Sequence, residues 1–160
     1  MSDVITQKRL KELFTYEDGA LYWKCNRNST VFAGDKAGSE EDRGYTRIGV
    51  DGKLYRLHRL IYLFHYGEHP KIVDHIDCDV RNNRIENLRA VNSAQSAQNT
   101  KFRGGSSGIK NVFKNGNLWT VRMNVAGKFK YFGAFKDIEL AELVAIEARN
   151  KFHGKYANHG

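Results

Sequence analysis

Asp74 and His75 stand side by side in a stretch, VDHIDCDVRNNRIENLR, that packs four acids, four histidine or arginine side chains and three asparagines into seventeen residues. An aspartate offers hard oxygen to a cation such as Mg²⁺. A neutral imidazole, with an ordinary pKa of about 6.5, takes a proton from water near neutral pH. Hydrolysis of a phosphodiester needs a base on the side of the attacking water and positive charge on the side of the leaving oxygen. One carboxylate-held metal opposite one histidine is therefore a sufficient minimum. Arg81, Arg84 and Arg89 follow within the same stretch as candidates for phosphate contacts, and Arg89 could instead anchor the loop.

Positioning this pair falls to short elements. Ile72 to Ile76 reads as a strand, Asn87 to Val91 as a second, and a helix is expected from Ser93, with Asn92 as N-cap and Gln95 returning the bond as a capping box. Adjacent residues of a regular strand point to opposite faces, so Asp74 and His75 can serve one phosphate only where the strand twists or ends. Upstream, Thr6–Phe14 reads as a helix and Ala20–Trp23 as a strand after the turn residues Asp18 and Gly19. Residues 44–50 and 53–57 form a hairpin about Asp51-Gly52. Leu57, Leu60, Ile61 and Phe64 recur at helical spacing, and Gly67 ends that helix. His58, Arg59 and His65 ride on it, and a lone helical histidine is more often a packed or surface residue than a ligand.

Charge divides the chain. Residues 1–99 carry 15 Lys or Arg against 14 acids, whereas residues 100–160 carry 11 against 4, and Lys101 to Phe135 holds seven cations and no acid. An acid-free cationic run is the footprint of a surface that lies against phosphates, which makes Lys110 and Lys114 candidate contacts; a basic face kept for solubility is the plainer alternative. The shift coincides with a Gly/Ser-rich stretch. The expected organisation is a domain over 1–100, a linker over 101–107 and a second domain over 108–160. In the second domain, Trp119, Val121, Met123 and Val125 alternate with Thr120, Arg122 and Asn124, and Lys128 and Lys130 with Phe129 and Tyr131 across a turn at Ala126-Gly127. We expect an antiparallel sheet with a greasy face and an open cationic one. Ala141, Ala145, Ala148 and Phe152 form a stripe of small side chains that lets a helix lie close on the greasy face. The fold class is α+β.

No apolar run approaches the ~20 residues of a membrane-spanning helix, and MSDVITQKRLKE lacks the apolar core of a secretory signal. A cytoplasmic protein is expected. Cys25 and Cys78 are too few for a disulfide framework or a four-thiolate zinc site.

DHIDCDVRNNRIENLR, preceded by GYTRIGVDGKLYRLHRLIYLFHYGEHP, resembles the HNH nuclease motif in the form carried by phage and intron-encoded homing endonucleases, over roughly Leu10 to Asn99. The resemblance implies a ββα-metal module at the N-terminal end of the chain, with Asp74 as metal ligand, His75 as general base and Asn87 as a buried asparagine that holds the loop and orients the base. It also implies one Mg²⁺ or Mn²⁺ per site and products with 5′-phosphate and 3′-hydroxyl ends. Without it, Asn87 reads as an ordinary turn residue. Where the family has Asn or His as a second ligand this chain has Ser96, a weaker donor. Asn99, three residues on along the same helical face, is a substitute, and Mg²⁺ can draw further oxygens from water and substrate.

SGIKNVF, LWTVRM, KYFGAFKDIELAELVAIEA and HGKYAN resemble the three-stranded DNA-binding domain of plant ethylene-response factors, which also occurs as a tail on HNH homing endonucleases, over Ser107 to Asn158. That resemblance implies a sheet entering the major groove, with Thr120, Arg122, Lys128 and Lys130 in contact with duplex DNA. Trp119 is open to two readings, core packing, which alternation favours, and contact with bases. The combined expectation is a monomeric, metal-dependent DNA endonuclease of homing type whose basic tail finds the site. Its rivals are a non-catalytic DNA-binding protein descended from such a nuclease and an RNA-binding protein.

Overall fold

A computed structural model describes residues 4–100, 102 and 104–159; Lys101 and Arg103 of the expected linker lie outside the described residues. The chain divides into two compact units, the first running to Val91 and the second starting at Asn92, ahead of the boundary expected at residue 100.

In the first unit, α1 (Gln7–Leu13) is capped by Thr6, whose hydroxyl accepts from the Arg9 N–H, and it buries Leu10 and Leu13. Strands β1 (Phe14–Glu17) and β2 (Ala20–Trp23) form a hairpin. Phe14 continues the helical apolar spacing of the sequence, yet its pairing with Trp23 takes it into the sheet as the first residue of β1. β3 (Ser39–Glu40), β4 (Thr46–Val50) and β5 (Lys53–Arg56) form a second antiparallel sheet. Its β4–β5 turn has positive φ at both Asp51 and Gly52, the conformation that a two-residue hairpin with right-twisting strands requires. α2 (Leu57–Tyr66) ends at Gly67 in the left-handed conformation and buries Leu57, Leu60, Ile61 and Leu63 in one core with Leu10, Phe14, Leu21, Ile48 and Val73. β6 (Ile72–His75) and β7 (Leu88–Val91) complete the unit as an antiparallel pair.

The β1–β2 turn braces the loop between β6 and β7. Gly19 has φ +81°, and a Cβ there would stand 2.9 Å from the Arg84 nitrogen and 3.0 Å from the Asn83 carbonyl carbon. Arg84 pairs with Asp18 at 2.7 Å, and the Tyr16 hydroxyl accepts from the Ile85 N–H at 3.1 Å. Gly19→Ala therefore combines left-handed strain with a backbone clash. We expect a loss of about 1–3 kcal/mol in urea unfolding, with faster amide exchange in residues 83–85.

The second unit begins with α3 (Ser93–Gln98), where Asn92 and Gln95 make the expected capping box. β8 (Val112–Asn115), β9 (Leu118–Val125) and β10 (Lys128–Phe135) form an antiparallel sheet with β9 central. α4 (Ile138–His153) lays Ala141 and Ala145 on Val112 and Val121, with Trp119 packed against this core as its alternation predicted. The expected cationic face is not what forms. The two-residue turn at Ala126-Gly127 pairs Lys128 with Val125 and Lys130 with Met123, so both lysines stand on the face of Val125 and Met123. Phe129 and Tyr131 instead pair with Asn124 and Arg122 on the open face. A two-residue hairpin puts its flanking pair on one side, and the parity of the residues up to Tyr131 follows, beyond which the register shifts before Gly133. Among the described residues no helix is long and apolar enough to cross a membrane.

Candidate active site

His75 is the last residue of β6, and the chain turns beyond it, with the Cys78 N–H on the His75 carbonyl at 3.0 Å and Cys78 itself at φ +61°. Strand alternation holds up to that point. Asp74 pairs across the ladder with Arg89, their side chains 3.3 Å apart and mostly buried. His75 points to the other side and is 5% exposed. The two are not brought to one face of the strand; they flank its end.

The imidazole is held by Asn83. Nε2 of His75 lies 3.0 Å from Oδ1 of Asn83, whose own Nδ2 donates to the Arg81 carbonyl at 3.1 Å and so fixes which end of the amide faces the ring. The amide oxygen accepts, so Nε2 carries the proton in the neutral ring and the basic lone pair is on Nδ1. Asn83 is buried. The resemblance implies a buried Asn87 that orients the base. Asn87 is half-buried, and the asparagine hydrogen-bonded to the imidazole is Asn83.

Asn87 works at the neck of the loop. Its carbonyl accepts from the Ile76 N–H at 2.8 Å, its Oδ1 from the Asp77 N–H at 3.0 Å, and its Nδ2 donates to Asp77 Oδ1 and to the Asn82 carbonyl, each at 2.8 Å. Asp77 gathers the turn. It accepts from the Asp79 N–H and from the side chains of Asn82 and Asn87. Burial disfavours its charge, but these hydrogen bonds outweigh that and hold its carboxyl below the usual range. The run of asparagines is thus spent on closing a twelve-residue excursion whose product is a fixed imidazole.

Two residues to which the sequence assigns no role at the site complete the surroundings. His58 of α2, 5% exposed, meets His75 edge to face at a centroid separation of 5.0 Å, and Tyr45 lies 5.7 Å from His58 and 6.3 Å from His75. Arg56 stacks on Tyr45 at 4.4 Å. Burial, aided by the neighbouring His75 and the positive charges of Arg56 and Arg59, pushes the His58 pKa down to about 3. The unfolded chain would take up this proton near pH 6.5, so stability is retained above that value and lost progressively as pH falls toward 3. We expect His58 to account for about 2 kcal/mol of lost stability at pH 5. Urea unfolding at pH 7 and pH 5 measures it, and His58→Phe should flatten the difference.

The remaining candidates are spread over both units. Arg81 pairs with Glu40 at 2.6 Å and Arg84 with Asp18, both pairs well exposed. In the second unit Ser96 is half-buried in α3 and Asn99 is its buried C-cap residue. Lys110 reaches the carbonyls of Gln98 and Thr100, Lys114 lies 5.6 Å over Trp119, Arg122 4.6 Å over Phe113, and Lys130 4.7 Å over Phe152. Thr120 donates to the Phe113 carbonyl, and Lys128 is exposed.

Among the described residues no group of three or more His, Cys, Asp or Glu side chains forms a metal cage. The donor chemistry at β6 is one carboxylate. That suits a hard cation which keeps several waters and takes further oxygens from a phosphate, the ordinary manner of Mg²⁺.

No curated protein and no solved structure matches the chain. Residues 55–98, from β5 to α3, match the family model described as HNH endonuclease, so the match lies in the middle of the chain rather than at its N-terminal end. This segment, which contains Asp74, His75, Asn83 and Asn87, is similar to the HNH endonucleases, and the match points to nuclease activity on DNA.

Proposed function

We propose that the chain is a DNA endonuclease of homing type, hydrolysing phosphodiester bonds with a divalent metal ion, Mg²⁺ or Mn²⁺, and recognising its site through the basic second unit. The observation that carries this reading is the state of His75. Its Nε2–H is committed to Asn83 and its basic lone pair is on Nδ1, at the end of the strand that also bears Asp74, inside the segment similar to HNH endonucleases.

Nδ1 of His75 takes the proton of the attacking water, and Asn83 stabilises the imidazolium that results through the same Nε2–H bond. Arg89 offsets the charge of Asp74 and orients its carboxylate. Asp74 would hold the divalent ion, whose chemistry there is to offset negative charge on the phosphate and the departing 3′ oxygen. Because the two side chains leave the strand on opposite sides, this reading requires the phosphate to sit beyond the last residue of β6.

Ser96, where the family has Asn or His, favours a second reading, a DNA-binding protein that has lost cleavage. Supercoiled plasmid carrying candidate sites, incubated with Mg²⁺ or Mn²⁺ and then with chelator, separates the two. Conversion to nicked or linear DNA that chelator stops is expected. Binding without conversion in either metal would establish the second reading.

A further inference from the structure

The open face of the β8–β9–β10 sheet carries aromatic rings in solvent. Phe129 is 78% exposed, Tyr131 65% and Phe113 37%, and cross-strand pairing sets them opposite Asn124, Arg122 and Thr120. Rings left in water on this scale mark a contact surface. The acid-free run from Lys101 to Phe135, which contains the whole sheet, supplies the charge complementarity for a polyanion.

The polar groups of this face are poorly furnished for reading base-pair edges. The Thr120 hydroxyl donates to the Phe113 carbonyl at 2.9 Å, the Asn124 side-chain oxygen accepts from the Gly127 N–H at 2.8 Å, and the Arg122 guanidinium lies on the Phe113 ring. What the face offers outward is π surface. Phe129 and Tyr131 are two residues apart on one strand, which sets their attachment points about 7 Å apart. Bases stacked within a duplex strand are about 3.4 Å apart. A nucleic-acid strand that laid successive bases on both rings would have to be unstacked.

We propose that this face is a stacking platform for the unpaired bases of single-stranded DNA. Phe129 and Tyr131 each receive a base, Phe113 with its stacked Arg122 takes a third, and Lys114, which lines one cavity with Phe113, Arg122 and Tyr131, meets the phosphates. This rests on the reading of the second unit as a DNA-binding element, but assigns it a different form of DNA from the duplex groove that the resemblance implies.

The test is fluorescence anisotropy with the full chain in chelator, so that no strand is cut, using a labelled 15-nucleotide oligothymidine, a duplex, and the ribo-oligonucleotide counterpart. Phe129→Ala and Tyr131→Ala are each expected to weaken single-strand binding by roughly 5- to 150-fold and to change duplex affinity by less than about two-fold. Phe129→Trp, which keeps a stacking surface, should retain single-strand binding. Unchanged single-strand affinity in the double alanine variant overturns the platform, as does a loss confined to the duplex, and tighter binding of the ribo-oligonucleotide by the wild type overturns the assignment to DNA. If the platform fails while wild-type duplex binding stays strongly salt-dependent, the DNA-binding reading of the unit survives without it; if neither nucleic acid binds, that reading itself falls.

Discussion

Replacing His75 by alanine is expected to slow strand cleavage by about 10²- to 10⁴-fold, the usual worth of a positioned general base, with DNA affinity changed by less than about two-fold. The reasoning is local. The imidazole is a poor phosphate ligand in its neutral form, so removing it subtracts little from binding. Its tautomer is set by a buried hydrogen bond to Asn83, and on the proposed reading the rate depends on a proton acceptor in that place. Single-turnover cleavage of a saturated substrate isolates the chemical step from affinity. Asn83→Leu should give a partial version of the same defect, because the ring remains while the partner of Nε2–H is lost and the tautomer is no longer imposed. If His75→Ala cleaves as fast as the wild type while the metal requirement persists, the base is elsewhere. A variant that neither cleaves nor binds would show that the fold was damaged, which Asn83→Leu and circular dichroism would separate.

The second large effect is on binding. With about six cations on phosphates, duplex affinity should fall roughly 10³-fold between 50 and 200 mM salt, since each contact releases counterions and contributes about 0.9 to the log–log slope. The second unit contains enough candidates, and several are already committed within the protein. Lys110 holds carbonyls at the end of α3, Lys130 lies on Phe152, and Arg149 is fully buried with Nη1 on the Lys110 carbonyl. Lys114 and Lys128 are exposed, and substituting either by alanine should lower the slope by about 0.9. Titrations at four salt concentrations measure this. A flat response would remove the basic unit from the DNA interface.

Much of the fold was legible because local rules were strong. The capping box at Asn92 and Gln95, the Asp51-Gly52 hairpin, the stop at Gly67 and the alanine stripe of α4 each depend on residues within a few positions of one another. Hydrogen bonds and turn geometry decide such features before any tertiary contact exists. The side of the sheet on which Lys128 and Lys130 stand was also encoded, in the length of the Ala126-Gly127 turn, although alternation within each strand does not by itself relate one strand to the next.

By itself the sequence determined that Asp74 and His75 close a strand ahead of an asparagine-rich loop, and that positive charge gathers in the last third of the chain. Only the tertiary structure decided which asparagine meets the imidazole and that His58 and Tyr45 flank it. The reason is separation along the chain. Asn83 and Asn87 have the same donors and acceptors and similar surroundings in sequence, so their roles diverge only when the loop closes and a turn from residues 18 and 19 presses on one of them. His58 reaches His75 across seventeen residues because α2 and β6 share one core, a contact that no local pattern records.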